Sequence, residues 1–390
     1  MASTVMHTLE WLLLIPTIGG SVYAVLCILA VIRLRMRPVA VPPHAGEEWL
    51  PVTVLKPVHG PEKNQRENLR SCCLQDYPVF QVVFSVQDKE DAAVPLLKEL
   101  RQEFGADRVT VAIEDFRAGT NGKINNMIGG LRHARHEVLV ISDSDVLLKP
   151  DYLKTIVAPL RDPEVGCSCT LYKAAGANTW YEKMELLTLN ADFMANVLFA
   201  HISGASKFCL GASAALHRST LEKIGGLGAL ADYLVEDYEM GRRVWMLGKK
   251  VAIVPYFVDT IVDLKSPSQW WDHQVYWDQN TRAARPVAFL ATALVRSVPF
   301  AVLYAVARMG DAVGLWTMAG AFALRLMSAA VVLRWGLRDR EGLRSIGMLI
   351  LRDISSLATW LLAFTKRTTI WRGTSFVLTR DGRLVAQKPI

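Results

Sequence analysis

The 390-residue sequence predicts an α/β domain with a mostly parallel sheet, set between apolar helices at the two ends of the chain. Three observations predict it. Short apolar runs alternate with segments of helical spacing from about residue 52 to 145, uncharged stretches of membrane-spanning length flank the middle of the chain, and polar residues recur just past the apolar runs.

The first element is the stretch LEWLLLIPTIGGSVYAVLCILAVI (9–32), which has one acid near its start and no other charge. It is long enough to cross a hydrocarbon core of about 30 Å. Arg33, Arg35 and Arg37 follow it. A cleaved signal peptide carries its positive charge before the apolar core, so residues 1–37 are predicted to be a retained anchor with the arginines in the cytoplasm. A proline-containing linker, VPPHAGEE, leads into VTVL (52–55), a strand that ends at Lys56-Pro57. PEKNQRENLRSCCLQ has helical spacing, and VFQVVFSV (79–86) is a second buried strand ending at Gln87-Asp88. VPLLKELRQEF, VTVAI, KINNMIGGLRHAR and EVLVISDSD then read as helix, strand, helix and strand. Such alternation implies right-handed crossovers, and ligands of parallel sheets bind beyond the carboxyl ends of the strands. Lys56-Pro57, Asp88 and Asp143-Ser144-Asp145 all stand at such ends. The α/β domain is placed at 38–265, and an amphipathic interface helix at 266–286.

Apolar character returns in segments 287–307, 313–333 and 346–364, within a membrane region placed at 287–366. Arg334, Arg338, Arg340 and Arg344 put the loop between the second and third segments in the cytoplasm. A full third crossing would send Lys366, Arg367 and Arg372, at the start of a 367–390 tail expected in the cytosol, to the other side. Arg352-Asp353 in mid-membrane would also be costly. Segment 346–364 is therefore predicted to be re-entrant or interfacial.

Lys and Arg exceed Asp and Glu by 44 − 37 = 7. That excess suits a protein resting on anionic lipid, and no basic stripe with interleaved aromatics points to nucleic acid. Six cysteines without a C-x-x-C pair read as reduced packing thiols rather than a zinc site.

The run VISDSDV (140–146) ends in two acids one residue apart. Carboxylates so spaced at a strand end hold Mg²⁺ or Mn²⁺ well, and a cation there would help a sugar-diphosphate bond break. Taken singly, such a pair is better explained by capping or solvation. Farther on, LVEDYEM (234–240) puts acids in the first turn of a helix, where Glu236 and Glu239 complement the dipole. Asp237 would be the general base if the reaction were direct displacement at a sugar carbon.

VTVLKPVHG, FSVQD, NGKINNM, ISDSD, LVEDYEMGRRVWMLGKK, SQWWDHQVYW and TIWRG together resemble, in order and approximate separation, the signature elements of ceramide glucosyltransferases. The likeness runs from about residue 52 to 373. That family comprises membrane-bound inverting glycosyltransferases of the GT-A (Rossmann-like) fold. The resemblance implies Asp88 at the nucleotide base, Asp143 at the donor and metal, and Asp237 as catalytic base. It also implies that Lys56, Pro57, Lys123 and Asn125 line the donor site, and Asp145 becomes the preferred direct metal ligand. Lys123 is equally an ordinary helix N-terminal surface lysine. One element departs: the family's (Q/R)-x-x-R-W is His273-Gln-Val-Tyr276-Trp277 here, with only the Trp kept. Arg282 could substitute for the missing arginine, or meet lipid headgroups. Trp277 could stack on sugar or acceptor, while Trp270 and Trp271 read as interface anchors. Residues 187–208 could cover an acceptor entrance, although core packing gives the same composition.

The resemblance implies transfer of glucose from UDP-glucose to a membrane lipid, ceramide above others, with Mg²⁺ or Mn²⁺ and a site facing the cytosol. A bacterial inner membrane is expected over the Golgi. A bacterial hopanoid-associated enzyme using UDP-N-acetylglucosamine is the alternative that His273 and Tyr276 keep open. From another class comes a catalytically silent lipid-binding scaffold, against which the full set of acids argues.

Overall fold

The computed structural model describes residues 2–36, 48–204, 207–365, 368–371, 374–379 and 382–386. Most of the VPPHAGEE linker, Lys366, Arg367 and the Arg372-Gly373 end of TIWRG lie outside the described residues. The chain divides into two compact units. An α/β unit contains Arg37–Ala175, Gly204–Asp263 and Ile370–Ile390, and a helical unit contains Met1–Met36, Gly176–Ser203 and Leu264–Thr369.

Helix α1 (Ala2–Arg35) opens the chain. The α/β unit then runs β1 (Val52–Pro57), α2 (Gln65–Cys73), β2 (Phe80–Val86), α3 (Val94–Phe104), β3 (Val109–Ile113), α4 (Gly122–Leu131) and β4 (Val138–Ser142). Every residue of β1, β2 and β4 is buried, as expected for strands covered on both faces. A short β5 (Val146–Leu147) and α5 (Tyr152–Val157) lead to the long β6 (Val165–Ala175). The chain leaves the sheet for α6 (Trp180–Leu187) and α7 (Met194–Ile202), which belong to the helical unit, and returns as β7 (Ser213–His217). The strong capping box of Thr179 and Glu182 marks that departure. Helices α8 (Arg218–Lys223) and α9 (Glu236–Met246) and strand β8 (Lys250–Ile261) complete the unit's main body.

The eight strands lie in the order β3-β2-β1-β4-β7-β6-β8-β5. The first four are mutually parallel, β7 runs against β4 and β6, and β8 is parallel to β6. The sheet is thus mostly parallel. Leu55 pairs with Ile141, so Lys56 and Ser142 follow side by side at one edge, with Asp143 next along the chain.

The helical unit continues with α10 (Pro267–Ala284), α11 (Pro286–Ala291), α12 (Ser297–Ala307), α13 (Ala312–Val331), α14 (Arg340–Ser345) and α15 (Leu349–Thr365). Among the described residues three stretches, Met6–Arg35, Ala312–Leu337 and Arg340–Thr365, are long and apolar enough to cross a membrane. Trp11, Leu12, Trp316 and Leu351 are exposed on them, as residues facing lipid would be.

The membrane region contains a sharp bend that the sequence reading did not anticipate. Arg340–Thr365 has spanning length, whereas Pro286–Val295 and Ser297–Ala307 meet at 51°. Arg352 and Asp353 are both buried and paired with one another. At Arg296 the backbone leaves helical geometry (φ −90°, ψ 68°), and Pro299 occupies the first turn of the helix that follows. Two other segments also group differently. Residues 176–203 join the helical unit, and strands β10 (Thr374–Leu378) and β11 (Leu384–Ala386), which follow β9 (Thr368–Trp371), return to the α/β unit.

Candidate active site

Three loops meet past the carboxyl edge of β1 and β4. Helix α4 begins at an N-cap, Asn121, whose side-chain oxygen accepts from the Lys123 and Ile124 amides at 3.0 and 3.2 Å. The same side chain donates to the Tyr233 carbonyl at 2.9 Å and to Glu236 Oε2 at 3.3 Å. It therefore ties the start of α4 to the start of α9. Lys123 sits where both meet β4: its Nζ lies 2.6 Å from Asp143 Oδ1 and 2.9 Å from Glu236 Oε1.

Asp237 enters through two close approaches that only glycine permits. A Cβ on Gly241 would stand 2.2 Å from the Cys209 amide nitrogen, so α9 packs directly on the 208–209 backbone. A Cβ on Gly211 would stand 2.7 Å from Asp237 Oδ2. The next residue of that loop, Ala212, accepts a hydrogen bond from the Asp143 amide at 3.2 Å.

Lys56 works from beneath. Wholly buried, it donates to the Val146 carbonyl at 3.0 Å and to Ser142 Oγ at 3.3 Å, bracing the turn that carries Asp143 and Asp145. Burial disfavours the Lys123 ammonium, but Asp143 and Glu236 outweigh it and hold its pKa above the ordinary lysine value. Burial lifts Asp143 against the pull of Lys123. Asp237 is pushed up to about 7, first by burial and then by the Glu236 carboxylate. Asp145 is pushed up to about 7 by burial, by Asp143 and by Glu62.

Among the described residues no three His, Cys, Asp or Glu side chains stand close enough to hold a metal ion by themselves. Asp145 nonetheless suits a hard divalent cation. Among the described residues its half-buried carboxylate accepts no hydrogen bond and forms no ion pair, and burial first, then the Asp143 and Glu62 carboxylates, disfavour its charged form, a cost that a cation would relieve. Magnesium commonly takes one or two carboxylates and completes its shell with water and substrate phosphates. The donor set Asp145 and Asp143 fits that pattern.

The sequence-predicted residues thus divide. Lys56, Lys123, Asp143 and Asp237 converge, with Asp145 in the same turn, and Pro57 closes the buried strand beside them. Asp88 is exposed, and its side chain accepts from the Glu90 amide at 2.9 Å in a turn past β2. Asn125 uses its amide on the loop behind it: the oxygen accepts from Ala118 and Gly119 amides at 2.9 and 3.1 Å, and the nitrogen donates to the Gly119 carbonyl at 2.8 Å. Trp277 and Arg282 stand on α10 in the helical unit. Trp277 donates to His273 Nε2 at 3.0 Å, His273 Nδ1 lies 2.8 Å from Glu185, and Arg282 lies over the Phe364 ring at 5.8 Å. Trp270 is buried against Trp180 rather than displayed as an anchor.

Sequence reasoning assigned Glu236 to the helix dipole, yet its carboxylate is a second partner of Lys123; Glu239, by contrast, pairs with Arg242 and Arg243 at 2.7 Å. Asn121 was visible only as the first letter of NGKINNM. Tyr172 on β6 carried no signal at all. It is buried, and burial first, then the carboxylates of Asp237, Asp143 and Asp145, push its phenol up. Strand β11 also reaches this region: the Leu384 amide donates to the Asp232 carbonyl at 2.8 Å, and Thr120 Oγ1 donates to the Leu384 carbonyl at 3.1 Å.

The family model for glycosyl transferase family 21 matches residues 12–384. Ceramide glucosyltransferase 1 of Caenorhabditis elegans is 28% identical over 206 residues, 52% of this chain and 43% of that protein. Ceramide glucosyltransferase 3 of the same organism is 23% identical over 357 residues, 86% of this chain and 74% of that protein. The match therefore spans less than half the length of the first of these relatives. Among solved structures, the mannosyltransferase PcManGT from Pyrobaculum calidifontis, in complex with GDP-Man and Mn²⁺, has a TM-score of 0.59 at 21% identity, covering 92% of this chain and 98% of that one. That likeness establishes the GT-A fold.

Proposed function

We propose that this chain, which belongs to glycosyl transferase family 21, moves a hexose from a UDP-sugar to the hydroxyl of a membrane lipid with inversion, giving a β-glycoside. Glucose is the leading sugar and ceramide the leading acceptor, because two relatives at modest identity are ceramide glucosyltransferases. The observation that carries the reading is the single lysine, Lys123, held between Asp143 and Glu236 beside the raised carboxyl of Asp237.

In this mechanism Asp237 accepts the proton of the lipid hydroxyl as its oxygen attacks the anomeric carbon. The bond from that carbon to the diphosphate breaks, and its electron pair leaves with UDP. A base with a pKa near 7 is half ionised at neutral pH and strong enough to take the proton. Lys123 stays charged and meets the leaving diphosphate, while Lys56 keeps the Asp143–Asp145 turn in place. A bound Mg²⁺ or Mn²⁺, held by Asp145 with Asp143 alongside, would neutralise charge on the diphosphate. Asp88 is the proposed contact to the uracil. The site is read as facing the cytosol, on the sense of the arginines around the apolar segments.

Transfer of N-acetylglucosamine to a hopanoid is the second reading, kept open by His273 and Tyr276, where the chain departs from the (Q/R)-x-x-R-W element of the family it resembles. A matrix of labelled UDP-sugars against ceramide and hopanoid, with the full chain in lipid nanodiscs, tests both. Labelled glucosylceramide is the expected product. Labelled hopanoid without labelled ceramide would remove the first choice, and no labelled lipid with any donor would remove lipid glycosylation itself.

A further inference from the structure

The helical unit buries or half-buries charge where an apolar bundle needs none. Arg325 on α13 donates to both oxygens of Asp353, at 2.7 and 3.2 Å. Arg352 donates to Asp353 Oδ1 and to Asp192 Oδ2, each at 3.0 Å. Arg296, at the bend between α11 and α12, donates to Ser356 Oγ at 2.6 Å and approaches Asp278 at 3.6 Å, and Asp278 accepts from Thr359 at 2.7 Å. Replacing a buried ion pair with apolar side chains is commonly neutral or stabilising, and ionisable residues inside membrane bundles generally mark a ligand path or site.

All six side chains line one partly enclosed cavity of about 140 Å³. A cavity of about 150 Å³ admits a benzene-sized molecule, so there is room for roughly six to ten heavy atoms. Three arginines face three aspartates across it. Each arginine has an acidic neighbour, so the wall has no net charge to offer a phosphate. Thr292, Gln274 and Asn196 add polar side chains to the wall, each also hydrogen-bonded to a neighbour, beside the apolar surfaces of Phe193, Phe289 and Val298. Trp277, the residue kept from the family's last element, is also in the wall. The outside of the same helices is apolar and exposed, so the molecules that surround this unit are lipids.

We infer that this cavity binds the uncharged, hydrogen-bonding head of a membrane lipid, an amide- and hydroxyl-bearing head rather than a phosphate. The inference rests on the reading of the acceptor as a membrane lipid and narrows its chemistry. A self-cancelled set of charges orients amide and hydroxyl dipoles strongly, while an anionic head would lose its hydration without gaining a partner.

The test uses the full chain in phosphatidylcholine nanodiscs with a photoactivatable ceramide whose diazirine lies near the head. Crosslinks are mapped by mass spectrometry and competed with unlabelled ceramide or phosphatidylglycerol. Crosslinks are expected at Phe193, Phe289 or Val298, with ceramide competing at least about tenfold better than phosphatidylglycerol. Thr292→Trp and Asn196→Trp, which fill the cavity, should each cut labelling about tenfold with UDP binding unchanged. Crosslinks only outside the cavity, equal competition by phosphatidylglycerol, or full labelling of a folded Thr292→Trp protein would overturn the inference. Should a filled variant fail to fold, the crosslink map and the competition still decide. Sugar transfer is measured in parallel: labelling in the cavity without transfer to any lipid would sink the transferase reading and leave this one, and full transfer by Thr292→Trp without labelling would do the reverse.

Discussion

Asp237→Asn separates the two consequences of burying a carboxylate in this cluster. Asparagine keeps the volume packed against Gly211 but cannot accept a proton. Loss of a general base costs about 10²–10⁴ in rate, so labelled-sugar transfer should fall at least about 100-fold while UDP binding by calorimetry stays within about threefold. Stability should move the other way. Asp237 is raised from 3.8 to about 7, which at 1.36 kcal/mol per pH unit is about 4 kcal/mol, and partial exposure trims it to about 1–3 kcal/mol. Its folded value lies above its unfolded value, so the stability it contributes while protonated, present below about pH 4, is lost as pH rises through 7. The variant, which has nothing to ionise, should therefore melt a few degrees above the unsubstituted chain at pH 8.5, in the absence of metal and nucleotide, and the margin should narrow toward pH 5. In the unsubstituted chain kcat/KM should fall below about pH 7 as the base protonates. Retention of more than a tenth of the activity, parallel loss of UDP binding, or a stability margin that widens on acidification would each refute the assignment.

Three further outcomes follow from the same geometry. Asp145→Asn should raise the Mn²⁺ concentration needed for transfer at least about tenfold, read from a metal titration after chelation; an unchanged titration would take Asp145 out of the metal shell. Gly211→Ala puts a methyl 2.7 Å from Asp237 Oδ2 and should lower kcat about tenfold or more with little change in UDP affinity. Removing residues 380–390 deletes the two hydrogen bonds of Leu384 to Asp232 and Thr120, each worth about 1 kcal/mol; the loops at 118–121 and 232–236 should become protease-sensitive and kcat should drop several-fold, and unchanged cleavage would show that β11 does not brace them.

Much of the site could be read from local pattern. Lys56-Pro57 and Asp143-Ser144-Asp145 end buried apolar runs, and parallel strands put such ends on one edge whatever the loops do. Asp237 was legible because LVEDYEM matches a family element. Glu236 stands in the first turn of α9 as expected, but its second role as a partner of Lys123 was not legible, because Lys123 is 113 positions away and no helical rule connects them. Tyr172 lies inside a strand whose residues are nearly all buried, so nothing local distinguished it from core. Asn125 shows the converse: it stands in a family element, yet its amide is spent on the backbone of residues 118 and 119.

The membrane region shows the same limit. Arg352-Asp353 argued against a span because a sequence displays charges without their partners. Arg325 and Asp192, from other helices, supply those partners, and a sharp bend at Arg296 had no counterpart in the sequence reading. Sequence alone determined the alternation of strands and helices, the burial of the parallel strands and the apolar lengths at each end, since these follow from periodicity and composition within a few turns of chain. Tertiary structure alone decided which acid pairs with which base, that residues 176–203 leave the α/β unit, and that six charges cancel around a cavity, because a pairing between distant residues depends on distance in space, which no spacing along the chain records.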